Sequence, residues 1–170
     1  NATFQIRDED GIAAMPVAET FESGVFSNYW TTYTSLSNRP VIGTNDGPHG
    51  GIRHVDMQGD GWSNVLSELT LSVDLQGQPD VHLRFWHKRF HFEAERAMPA
   101  VFAGHTNADG VAISVDGTNW YKIHGLEDDD TGEETYRQFD VALEPILAAH
   151  GLEFTNHVRI KFQKYGYYVP

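Results

Sequence analysis

The chain has 170 residues, 40% hydrophobic and 12% aromatic, with 24 acidic side chains against 12 basic ones and a formal charge of -12. That length suits a single domain with a proper core, the composition excludes a disordered chain, and the charge disfavours nucleic acid or an anionic membrane surface as partner while suiting cations. Cysteine is absent, which excludes a disulfide framework, a thiolate metal site and a Cys nucleophile, and no apolar run approaches the ~20 residues of a membrane span.

Residues 1–16 read as an N-terminal strand and linker: Thr3–Arg7 is extended, Asp8–Gly11 is an acidic turn, and no basic region precedes an apolar stretch as in a signal peptide. Val17–Gly24 is expected as a short first strand, and Tyr29–Thr34 is β-prone through its aromatic and β-branched residues. Residues 43–51, GTNDGPHGG, carry four Gly and a Pro and form a loop. Gly51–Met57 and Asn64–Leu75 follow as strands. In the second, Leu69, Leu71, Val73 and Leu75 share one face, opposite Thr70, Ser72 and Asp74. In Val81–Phe90 the apolar Val81, Leu83 and Phe85 alternate with His82, Arg84, Trp86 and Lys88.

Asp109–Ile123 is the clearest element. Val111, Ile113 and Val115 alternate with Ala112 and Ser114, Asp116-Gly117 supplies a tight turn, and Trp120–Ile123 returns as a strand, which together make a β-hairpin. Glu127–Glu134, EDDDTGEE, is a solvated acidic loop without the spaced ligands of an EF-hand. Tyr136–Val141 is a strand, and 142–150 is a short helix ended by Gly151. In Asn156–Tyr165 the inward Val158, Ile160 and Phe162 alternate with Arg159, Lys161 and Gln163. Many short strands, one short helix and no βαβ rhythm predict an all-β, antiparallel jelly-roll β-sandwich over residues 17–170.

The order of TFESG, LTLSVDL, LRFWHKRF, VAISVDGTNW, FDVALEPILAAHGL and RIKFQKYG resembles MAM-type and Reelin-repeat-like jelly rolls and their relatives in secreted bacterial multidomain proteins. Residues 1–11 resemble the tail of a Calx-β repeat. Two departures stand out: MAM domains carry disulfides, and the bacterial relatives end in a further strand where this sequence reads Tyr167-Tyr168-Val169-Pro170. The expected domain therefore lacks its last strand or receives it from elsewhere.

The resemblance implies a structural calcium bound through Glu22, with Asp46 and Asp56 as partners, since calcium takes oxygen ligands from carboxylates and carbonyls. The bland alternative makes Glu22 a polar strand-end residue. Ser114–Trp120 resembles an Asp-box with its spacing altered and is read as a structural turn. For ligand binding the candidates are Trp86, Arg84, Lys88 and His82 on one strand and Arg159, Lys161 and Gln163 on another. Side by side, these strands would form a basic, aromatic strip for an anionic or neutral polysaccharide. Alternatively, Trp86 packs under a loop and the basic residues balance carboxylates.

A hydrolase reading rests on His91, Glu93 and Glu95, which a strand would place on one face. The sequence has E-x-E-R there, without the central Asp of laminarinase-type jelly rolls, and no H-E-x-x-H or G-x-S-x-G motif occurs. The expected function is a calcium-stabilised, non-catalytic adhesion or carbohydrate-binding module of a secreted or cell-surface protein. Its partners would be a polysaccharide, a cell-surface glycan or another surface protein, beside adjacent domains of the same polypeptide. A structural spacer or oligomerising module is the second reading and a glycan hydrolase the third.

Overall fold

In the strand Val65–Val73, the inward Leu69, Leu71 and Val73 are nearly inaccessible, and this strand lies at the centre of the architecture. A computed structural model describes residues 11–36, 40–57, 63–89, 96–126 and 135–166. The strands are β1 (Trp30–Thr34), β2 (Val41–Gly43), β3 (His54–Asp56), β4 (Val65–Val73), β5 (His82–His87), β6 (Val101–Ala103), β7 (Gly110–Ser114), β8 (Asn119–Gly125), β9 (Arg137–Ala142) and β10 (Val158–Gly166). One helix, α1 (Glu144–Ala148), lies between the last two strands.

Six strands form one antiparallel sheet in the order β1-β4-β10-β7-β8-β6, and β5 pairs with β9 in a second layer. Leu83 and Phe85 of β5 pack down onto a core of Leu71, Val73, Val111, Ile113, Val158 and Ile160. Phe85 meets Phe162 edge-on at 5.3 Å and stacks with Phe139 of β9. The protein is an antiparallel all-β sandwich with one short helix. A third pair, β2–β3, is tied to the second layer by His54, which meets Tyr136 just before β9.

The hairpin forms as expected, with a register irregularity between Val111 and Ala112. Its turn is closed by Asp116, whose Oδ1 accepts the backbone N–H groups of Thr118 and Asn119 at 2.8 Å each. Those bonds hold the Asp116 carboxyl far below its usual range. Gly117 has φ +74°, and a Cβ there would overlap Nη1 of Arg159, so the turn needs glycine twice over. In α1, Pro145 opens the helix, Leu147 is buried, and Gly151 at φ +68° leaves it.

Three expectations differ. Val17–Gly24 is not a strand: Glu19 Oε1 accepts the N–H groups of Thr20 and Phe21, and Phe21 has φ 60°. A side chain that satisfies its neighbours' amides removes them from any ladder. Ala13, placed in the linker by sequence, joins the core; its N–H donates to Ser72 O and its carbonyl accepts from Asp74. Finally, β6 was not foreseen, and it carries a second cover across the outer side of the large sheet. Met98, Ala108, Ala112 and Trp120 form a satellite core there, with Phe102 packed against it.

Candidate functional site

The outward residues of β5 are His82, Arg84 and Trp86, because Leu83 and Phe85 are drawn into the core and successive strand residues face opposite ways. Trp86 is 45% exposed. It is nonetheless held: the imidazole of His49, from the glycine-rich loop, lies on its indole at 3.8 Å and 20°. His49 also meets the Tyr136 ring edge-on at 5.2 Å. Trp86 therefore carries one loop side chain stacked on its ring and keeps 45% of its surface exposed.

Lys88 fastens the same loop. Its Nζ donates to the carbonyls of Asp46 and Gly47, and lies 4.6 Å from the centre of the Tyr136 ring. The Tyr136 hydroxyl accepts the backbone N–H of His49 and lies 2.7 Å from His54 Nδ1. The His54 imidazole also donates to the backbone carbonyl of Asn45. Burial lowers the His54 pKa despite Asp56 nearby, which agrees with a neutral ring. Burial likewise raises that of Tyr136.

On the other side of Trp86, Asp140 of β9 stands opposite Arg84. Its Oδ2 accepts from Arg84 Nε at 2.7 Å, and its Oδ1 lies 2.6 Å from His82 Nδ1. Arg84 first and His82 second hold the Asp140 carboxyl below its ordinary value, and the bond to Asp140 raises His82. These rims border a depression between the layers. The depression and the spaces beneath it total about 1190 Å³, but Leu69, Leu71, Val73 and Leu75 on its floor are only 1–6% exposed.

The seven expected ligand-binding residues do not come together. Trp86, Arg84, Lys88 and His82 share the β5 rim, whereas Arg159, Lys161 and Gln163 lie on β10, which is flanked by β4 and β7 in the other layer. Lys161 and Gln163 do leave the inner face, but the residue 97–108 cover buries them to 2% and 1% exposure. Lys161 Nζ donates to Glu68 Oε1 at 3.1 Å and to Gly104 O, and lies 4.1 Å from the Trp120 ring centre. Burial lowers the Lys161 pKa, against the pull of Glu68. Gln163 Nε2 donates to the carbonyls of Thr106 and Ala108.

Of the three carboxylates expected to bind calcium, Glu22 is held by backbone amides. Glu22 accepts the backbone N–H groups of Ile52 at 3.1 Å and Arg53 at 2.9 Å, so amide donors, not further oxygens, converge on it. The Asp46 carbonyl accepts from the Lys88 ammonium. Asp56 belongs to β3, beside His54. Among the described residues no three His, Cys, Asp or Glu side chains are grouped for a metal. His91, Glu93, Glu95 and the acidic loop 127–134 lie outside the described residues.

Sequence reasoning missed His49, His54, Tyr136 and Asp140. Asp140 follows only from the β5–β9 register, and nothing in a Gly-Pro-His-Gly loop shows that its imidazole will reach an indole. No protein-family model, curated protein or solved structure matches the chain.

Proposed function

We propose that this domain binds carbohydrate without catalysis, as an adhesion module, through the β5 rim centred on Trp86. The observation that carries the reading is the Trp86–His49 stack: an indole left 45% exposed yet held by a second ring. Sugar rings pack on aromatic faces while their hydroxyls take charged and polar groups. Arg84, His82 and Lys88 stand beside the indole in that role. A pre-stacked indole also loses less side-chain freedom on binding. Asp140 on this face is ion-paired with Arg84 and His82 and holds their donors in place beside the indole. The extracellular setting is part of the proposal and comes from the resemblance to jelly rolls of secreted proteins.

A glycan array probed with the purified domain and with Trp86→Ala tests the reading. Binding to one class of sugar, lost by the variant while its fold persists, is the expected result. A blank array with folded protein would turn the proposal toward a structural spacer.

A further inference from the structure

The outer side of the large sheet holds a second groove, independent of the Trp86 rim. Residues 97–108 cover only part of that side. Beyond them, a groove of about 330 Å³ remains, within the range of small-ligand sites. Strand register builds its floor. Thr31 of β1, Thr70 of β4 and Lys161 of β10 lie side by side, and Ser72 is the partner of Arg159. One wall is the stacked pair of Tyr33 and His105, 3.8 Å apart at 17°. The other is Arg159, whose guanidinium rests over the Gly117 turn.

Charge narrows the ligand. Two cations and one carboxylate line the groove, in a protein of net charge -12. The carboxylate is Glu68, and both its oxygens are occupied: Oε1 by Lys161 at 3.1 Å and Oε2 by His105 at 2.8 Å. That leaves Arg159, which is exposed and forms no ion pair among the described residues. A guanidinium is matched by a planar carboxylate taken bidentately. The Thr31, Thr70 and Ser72 hydroxyls can both donate and accept, as sugar hydroxyls require. The Tyr33–His105 wall offers a ring surface for the flat side of a pyranose.

We propose that this groove binds a hexuronate unit, with its carboxylate on Arg159 and its hydroxyls on the threonine-serine floor. The two candidate sites lie on opposite outer faces of the sandwich, because Trp86 points out of the β5–β9 layer and Thr70 out of the large sheet. A domain with both would hold two chains, or two stretches of one chain, at once.

The test is calorimetric and NMR titration of the intact domain with an oligogalacturonate and with a neutral galactose oligomer of equal length. Wild type should bind the uronate at least roughly tenfold more tightly, with amide shifts at Thr31, Thr70 and Ser72. Arg159→Gln should lose roughly tenfold or more, the scale of a hydrogen bond to a charged group. Thr70→Val serves as the second variant if Arg159→Gln perturbs the hairpin, and should weaken the uronate with the melting temperature kept. Equal affinity for both sugars, shifts confined to the Trp86 rim, or undiminished binding by folded Arg159→Gln and Thr70→Val would each overturn the proposal.

Discussion

The His49 imidazole lies on the Trp86 indole with ring centres 3.8 Å apart and planes 20° from parallel. A loop side chain thus holds the exposed aromatic of a strand. Such a pair contributes about 0.5–1.5 kcal/mol beyond its buried area. His49→Ala is therefore expected to weaken glycan binding by roughly two- to tenfold, and Trp86→Ala to abolish it. Calorimetry on whichever glycan the array identifies reads both. Unchanged affinity in His49→Ala would mean that the stack plays no part in recognition.

Two histidines of the site, His54 and His82, should titrate on opposite sides of the ordinary imidazole value of 6.5. His54 is held below it by burial, so the unfolded chain takes up this proton first. Its contribution to stability is present above pH 6.5 and lost as pH falls through the lowered folded value. His82 is held above 6.5 by Asp140. Its contribution is present below 6.5 and lost as pH rises through the raised folded value. Imidazole chemical shifts followed from pH 4 to 9 check this directly. Asp140→Asn should bring the His82 midpoint down and leave that of His54 in place.

Lys161 and Glu68 are buried as a pair, each supplying the other's counter-charge. Removing one partner of such a pair costs about 3–5 kcal/mol, so Lys161→Met and Glu68→Met should each lower the urea midpoint sharply. The double variant should recover much of that loss, since no lone charge is left buried. Simple addition of the two single losses in a denaturant cycle would show that the pair is not coupled.

The Lys88 ammonium donates to the Asp46 and Gly47 carbonyls. Lys88→Ala should destabilise the protein by about 1–3 kcal/mol, the scale of hydrogen bonds from a charged donor, and should loosen the glycine-rich loop to protease. Chelator should leave the melting temperature of wild type unchanged. A ligand that prefers the native state must stabilise it, so a fall with chelator would restore calcium to the site.

The strands legible in sequence were those with one clear apolar face, such as β4, β10 and the β7–β8 hairpin. Leu69, Leu71 and Val73 announce their period without any partner. Lys161 and Gln163 misled for the same reason: alternation says which residues leave the inner face, and does not say what lies beyond it. The 97–108 cover that buries them has only three residues of regular strand, and the groups of it that Lys161 and Gln163 bind are backbone carbonyls with no signature in side-chain pattern. The Trp86 rim was half legible. Its β5 members follow from alternation, whereas His49, His54 and Tyr136 arrive through long-range pairing that local spacing cannot encode.

The cover over the large sheet is gripped by its backbone. Lys161 holds the carbonyl of residue 104, Gln163 those of 106 and 108, and Asp109 the amide of Arg96. The specificity of these contacts resides in the sheet, so the exposed side chains at Asn107, Ala103 and Ala100 can drift or be exchanged without disturbing the path. This makes the segment a natural place for relatives to diverge and for an engineer to graft a new loop, while Lys161, Gln163 and Asp109 should resist change.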